Sequence, residues 1–139
     1  MRLFLDTSAL VAIEDLDDAN HKTAIEYRDR IRTADTPFRS LYTSNYVIDE
    51  TLTLLRIHCG HRVAVSFRKV LDASRLLKIL WITETLEKAA WGIFEKHPDK
   101  EFNFTDCTSF ALMETEAIRS VFTFDQHFSQ YGFESVPQA

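Results

Sequence analysis

The sequence predicts an α/β fold in which a parallel sheet is covered by helices on both faces. Short apolar runs alternate along the chain with longer segments whose apolar residues recur at helical spacing, and parallel neighbouring strands need crossover connections of that kind. The 139 residues are 45% hydrophobic, enough for one domain to bury roughly two-thirds of its unfolded surface without disulfide staples. With three Gly, three Pro and no Ser/Gly-rich tract there is no linker, repeat or low-complexity segment, so residues 1–139 are expected to form a single domain.

Residues 2–5 form the first short apolar strand, and Thr7-Ser8 can cap the helix that Ala9 to Ile13 continue. Residues 18–34 read as a charged helix carrying Ala19, Ala24, Ile25 and Ile31, broken before Pro37. Leu41-Tyr42-Thr43 is the second strand, and Ser44 the N-cap of a helix from Asn45 to His58. On that helix Tyr46, Glu50 and Leu54 share a stripe, whereas Asp49, about 100° round, faces water. Gly60 ends it, and residues 61–75 form another helix with Val63, Phe67, Val70 and Leu71 inward. Leu77 to Ile82 is the third strand; Glu84 to His97 is a helix stopped by Pro98. Thr105 can cap a helix reaching Ala117, Ser120 to Phe124 is the fourth strand, and a helical turn at 126–131 with an edge strand at 133–136 completes the chain.

Four carboxylates stand where apolar runs meet polar residues: Asp6, Glu50, Asp106 and Asp125. Acids enter a core edge when paired or bound to metal, because removing an ionised carboxylate from water costs on the order of several kcal/mol. In an open parallel sheet, ligands bind beyond the carboxyl ends of the strands, where Asp6 and Asp125 follow theirs; Glu50 and Asp106 enter the same space from helices. Each acid also has an architectural reading: Asp6 as a helix cap, Asp106 at the positive end of its helix, Asp125 in a turn. Glu50, inside a helix on an apolar stripe, is the hardest to explain that way.

Carboxylate oxygens are the preferred ligands of Mg²⁺ or Mn²⁺, and a pair of such ions can assist displacement at phosphorus. Thr7, Ser8, Thr105 and Thr123 are hydroxyls placed to orient the acids. The net charge of −5 argues against a surface that holds nucleic acid by phosphate contacts alone, although bound cations would reverse the local sign. Basic residues group at Arg28, Arg30, Arg32 and Arg39, and again at Arg62, Arg68, Lys69 and Arg75, and are read as solvated helix faces.

Other templates are absent: no GxSxG elbow, Gly-rich phosphate loop or HExxH occurs. Cys59 and Cys107 lack CxxC spacing and are expected to be two buried thiols. His58, His61 and His97 take capping or surface roles, His127 is placed at the periphery of the site, and Trp81 and Trp91 are placed in packing roles. The amino-terminal apolar run is too short for a signal peptide or membrane span, which leads to the expectation of a soluble, cytoplasmic protein.

Leu5-Asp6-Thr7-Ser8-Ala9-Leu10, Glu50-Thr51 within an apolar helix, Phe104-Thr105-Asp106 opening a helix, and Phe124-Asp125-Gln126-His127-Phe128 together resemble the PIN-domain nuclease family, in order and spacing over nearly the whole chain. The likeness is strongest to the small members that act as ribonuclease toxins of the VapC type. It implies a three-layer α/β/α fold with a parallel sheet of four or five strands and a Mg²⁺- or Mn²⁺-dependent phosphodiesterase site. Asp6, Glu50 and Asp106 match the family's three central acids, Asp125 its variable fourth, and Thr7 or Ser8 its usual hydroxyl. An RNA substrate, a cognate antitoxin and a homodimer are implied by the same resemblance.

The expected function is therefore a metal-dependent endoribonuclease, the toxin of a toxin–antitoxin pair. Its rival is a PIN-like module that binds RNA or protein without turnover. A phosphatase of the aspartyl-phosphate kind would want an acid where Ser8 stands.

Overall fold

The computed structural model describes residues 1–138. Its elements run in the order β1 (Arg2–Leu5), α1 (Thr7–Glu14), α2 (His21–Arg32), β2 (Ser40–Ser44), α3 (Asn45–Cys59), α4 (His61–Ala73), β3 (Leu77–Leu80), α5 (Glu84–Lys96), α6 (Phe104–Glu116), β4 (Ser120–Phe122), α7 (His127–Tyr131) and β5 (Glu134–Val136). The five strands make one all-parallel sheet in the order β3-β2-β1-β4-β5, and helices on both faces give the three layers expected.

The order places β1 at the centre. After β1 the chain winds outward through β2 and β3, then returns across β1 to add β4 and β5 on the other side. The direction of winding reverses between β1 and β4, and at such a switch point the two crossovers leave on opposite faces and open a crevice above the strand ends. Register fixes the two faces: Leu3, Leu41 and Leu77 lie in one row, Phe4 and Val121 in a row facing the other way. Leu3, Phe4 and Val121 are wholly buried, as central strands covered on both sides must be.

One part of the core is aromatic. Phe110 stacks on Tyr131 at 4.4 Å and meets Phe102 and Phe128 edge-on at 5.0 and 5.1 Å, tying the start of α6 to α7.

Several boundaries differ from the sequence reading, each for a local hydrogen-bonding reason. Asp6 rather than Thr7 caps α1. The helix expected from residue 18 begins at His21, because Asp15 and Asp18 accept the backbone N–H groups of Asp17 and Asn20 and hold 15–20 in turns. β3 stops at Leu80, since Ile82 N donates to Asn45 Oδ1 at 2.7 Å. Asn103, not Thr105, caps α6. β4 ends at Phe122: Thr123 N still donates to Val136 O, and the N–H groups of Phe124 and Asp125 then turn to the side chains of Ser8 and Thr123.

Side-chain placement brings larger corrections. On α4 the inward face is Ala64, Phe67 and Leu71, whereas Val70 is 59% exposed. Trp81 and Trp91, expected in packing roles, are 70% and 55% exposed. Cys107 is buried as expected, but Cys59 is only half-buried. Ser44 does cap α3, accepting from Val47 N at 3.1 Å.

Candidate active site

The site is assembled at the switch point. Asp6 continues the β1 ladder by one bond, its N–H donating to Phe122 O at 3.1 Å, and then caps α1 by accepting from Ser8 N. Two hydroxyls converge on the same carboxylate oxygen: Ser8 Oγ and Thr123 Oγ1 each donate to Asp6 Oδ2 at 2.8 Å. Ser8 Oγ in turn accepts from Phe124 N at 2.9 Å, so the segment after β4 is laced to the start of α1.

Asp106 reaches the crevice from the first turn of α6, where it completes a capping box. Asn103 Oδ1 accepts from Asp106 N at 2.7 Å, and Asp106 Oδ2 accepts from Asn103 N at 3.1 Å. Asp125 sits in the loop after β4, its Oδ1 accepting from His127 N at 2.9 Å and its own N–H donating to Thr123 Oγ1. The architectural readings of these acids therefore hold, but an exposed Ser or Asn can also cap a helix. Burial distinguishes Asp6 and Asp106, each 3% exposed.

One regularity runs through all three. Every protein donor to Asp6 and to Asp106 lands on Oδ2, and every donor to Asp125 lands on Oδ1. The opposite oxygen of each has no hydrogen-bond donor among the described residues, and all three acids line one cleft of about 640 Å³. Asp18 and Glu50 add to the acids of that lining, together with Thr7, Ser8, Asn20, Asn103 and Phe124, and neither Lys nor Arg joins them.

Of the residues the sequence singled out, Asp6, Thr7, Ser8, Glu50, Asp106 and Asp125 meet in this cleft, and Thr105 does not line it. Thr123 is the distant hydroxyl that orients an acid. Thr7 Oγ1 is buried without a hydrogen-bond partner among the described residues. Asp18 and Asn20 were not foreseen; the acidic turn 15–20 carries them in, and its Asp-rich spacing was the available signal.

His127 is the clearest correction. Instead of lying at the periphery, its Nδ1 is 2.8 Å from Asp106 Oδ2 and 3.1 Å from Asp125 Oδ1. One potential ligand atom from each of Asp106, Asp125 and His127 lies within 4.8 Å of the others, close enough to share an ion.

The electrostatics follow from burial. Desolvation pushes the Asp6 carboxyl up to about 7; the hydrogen bonds from Thr123 and Ser8 oppose this, and the charges of Asp106 and Asp125 reinforce it. Asp106 is pushed up to about 6, again chiefly by burial, with Asn103 and His127 opposing and Asp125 reinforcing. At neutral pH the Asp6 carboxyl is then only partly ionised, and a nearby positive charge would favour the charged form of both acids. The neighbouring Cys107 thiol is raised to about 11 by burial and then by Asp106, which leaves it inert at neutral pH.

Comparison with known proteins agrees with this architecture. Residues 3–134 match the family model for the PIN domain. The chain is 37% identical over 134 residues to the 23S rRNA-specific endonuclease VapC20 of Mycobacterium tuberculosis, covering 96% of this chain and 97% of that protein. It is 25% identical over 130 residues to a VapC ribonuclease of Archaeoglobus fulgidus, covering 93% and 80% of the two chains. The crystal structure of Mycobacterium tuberculosis VapC20, described as a sarcin-ricin loop cleaving toxin, superposes with a TM-score of 0.84 over 94% of this chain and 95% of that one.

Proposed function

This chain belongs to the PIN-domain family, and from that premise we propose that it is a metal-dependent endoribonuclease, the toxin of a toxin–antitoxin pair. The carrying observation is that Asp6, Asp106 and Asp125, each with one oxygen free of hydrogen bonds among the described residues, line one cleft whose charged lining is entirely acidic. A cleft of that sign repels an RNA phosphate, so a role in phosphodiester chemistry requires cations.

The donor set fits a hard divalent cation such as Mg²⁺ or Mn²⁺: oxygen ligands only, two of them on carboxyls that resist ionisation without a compensating charge. Asp6, Asp106 and Asp125 would hold it, and Glu50 would face it from α3. When bound, the cation supplies Lewis acidity that activates water and offsets charge developing on the phosphoryl oxygens. The protein's own part is positional: Ser8 and Thr123 fix Asp6, Asn103 and His127 fix Asp106, and their donors commit one oxygen of each acid.

RNA of the ribosomal large subunit is the proposed substrate class, by likeness to the named activity of VapC20. Two surfaces support the protein partners that the family resemblance implies. Trp91 and Phe94 expose a pair of aromatic rings 5.8 Å apart on α5, available to a second copy of the chain. An apolar groove lined by Leu10, Ile31, Phe67 and Val70, with Arg28 and Arg32 in its lining, is available to an inhibitory antitoxin segment. Among the described residues no helix is long and apolar enough to cross a membrane.

The test is to incubate purified protein with ribosomal RNA and with unstructured RNA, in Mn²⁺, Mg²⁺ or EDTA, beside Asp106→Asn protein. Internal cleavage that needs the divalent ion and disappears in the variant is expected. RNA binding without cleavage in any metal would favour the module that does not turn over its ligand.

A further inference from the structure

We propose that His127 is a positioning residue that ties Asp106, through its ring Nδ1–H, to the Asp125 loop that its own backbone N–H holds, so that the uncommitted oxygens of the two acids face the same cation. The inference rests on the metal-dependent reading above and deepens it by assigning a function to a histidine outside the expected acid set.

Geometry identifies which nitrogen carries the hydrogen. Nδ1 is hydrogen-bonded to Asp106 Oδ2 at 2.8 Å and lies 3.1 Å from Asp125 Oδ1 as a close charge contact, and ionised carboxylates only accept. Beside acids ionised by a bound cation Nδ1 carries the hydrogen, and a protonated ring nitrogen has no lone pair for a metal. Although the three side chains are close enough to share an ion, His127 then contributes a donor to Asp106 through Nδ1; the lone pair that remains, on Nε2, points away from the acid that Nδ1 binds, and the ligand set stays all-oxygen.

The clamp answers a specific problem. Asp106 and Asp125 repel each other, and without a donor between them their oxygens would diverge. A lysine could bridge them, but a flexible ammonium would not fix direction; the imidazole ring is fixed by its backbone and by packing. Its backbone N–H is bound to Asp125 Oδ1 at 2.9 Å, and its side chain is half-buried at the start of α7. Its ring meets Phe102 edge-on at 5.6 Å, and Phe102 is itself 5% exposed and packed on Phe110 at 5.0 Å. The residue after Phe102 is Asn103, which caps α6 and binds Asp106. One short segment thus orients both the histidine and the acid it clamps.

The experiment measures Mn²⁺ affinity by calorimetry, the Mn²⁺ electron spin-echo spectrum and RNA cleavage for the unmodified protein, His127→Ala, His127→Asn and Phe102→Leu, with thermal melts as a folding control. His127→Ala is expected to weaken Mn²⁺ binding about 10- to 100-fold, the range for residues that orient metal ligands. His127→Asn, whose amide nitrogen can take the place of Nδ1, should stay within about threefold of the unmodified protein, and Phe102→Leu should fall between. The spin-echo spectrum of the unmodified protein should lack directly coordinated nitrogen. Unchanged Mn²⁺ affinity in His127→Ala, or nitrogen coordination that vanishes in both His127 variants, overturns the clamp. If the unmodified protein binds no Mn²⁺, the metal-dependent reading fails instead. Should His127→Ala not fold, the contrast between His127→Asn and Phe102→Leu decides: Mn²⁺ affinity lost in the first and kept in the second overturns the proposal.

Discussion

Thr123 Oγ1 donates to Asp6 Oδ2 at 2.8 Å across 117 residues of chain, joining the segment after β4 to the end of β1 at the point where the sheet reverses its winding. Ser8 Oγ lies 3.0 Å from Thr123 Oγ1 and 2.8 Å from the same carboxylate oxygen. Two hydroxyl hydrogens cannot serve all three edges of that triangle at once. Directing both at the carboxylate accounts for its two shorter edges, and stabilises the ionised form of an acid that burial otherwise disfavours.

Thr123→Val tests that link. It keeps the shape but removes a donor to Asp6 and the acceptor of Asp125 N–H. A loss of about 1–3 kcal/mol in urea unfolding is expected, the cost of leaving buried polar groups unpaired. Stability equal to that of the unmodified protein would mean that water satisfies both groups.

Asp6→Asn should separate function from stability. Cleavage should vanish, while the protein in EDTA should gain roughly 1–3 kcal/mol, because an amide avoids the cost of a buried charge. Denaturant curves in EDTA check the sign: a less stable variant would show that Asp6 contributes more as a hydrogen-bonding carboxylate than it costs.

Stability without metal should fall as pH rises. The carboxyls of Asp6 and Asp106 are raised from 3.8 to about 7 and about 6 in the folded chain, so between about 4 and 7 the native state binds more protons than the unfolded state. The stabilisation is present below the ordinary carboxylate range and is lost as pH climbs through 6 to 7. Calorimetric melting in EDTA should give a higher Tm near pH 5 than near pH 8 from these two groups, and saturating Mn²⁺ should shrink the difference. A Tm that rises with pH in EDTA would contradict the assignment.

Glu50 and Asp49 form an internal control. Glu50 lines the cleft and Asp49, its neighbour on α3, is exposed. Glu50→Gln should lower cleavage about tenfold or more, whereas Asp49→Asn should leave it unchanged. Equal effects on cleavage from the two changes would show that bulk charge matters, with no special position for Glu50.

How much of this was readable beforehand depended on the range of the interaction involved. The acids following β1 and opening α6 could be located because apolar runs and polar stops are local, and the stripe of Tyr46, Glu50 and Leu54 follows from helical geometry alone. The cap at Asn103 stands in the sequence as Asn-x-x-Asp, whose two reciprocal bonds outcompete the single hydroxyl of Thr105. The burial expected of Trp81 and Trp91 failed because an apolar identity does not specify which side of an element meets the core.

The sequence by itself determined the alternation of strand and helix, the parallel pairing that this alternation forces, and the identities of the acids at the element ends. Tertiary structure decided the strand order, the meeting of Asp6, Asp106 and Asp125 in one cleft, and the seat of His127 between two of them. The reason is physical: hydrogen bonds within an element act over a few residues and leave their mark in its local pattern. The direction of a side chain across the switch point is set by contacts more than a hundred residues apart, such as Asp6 with Thr123, which no window of sequence contains.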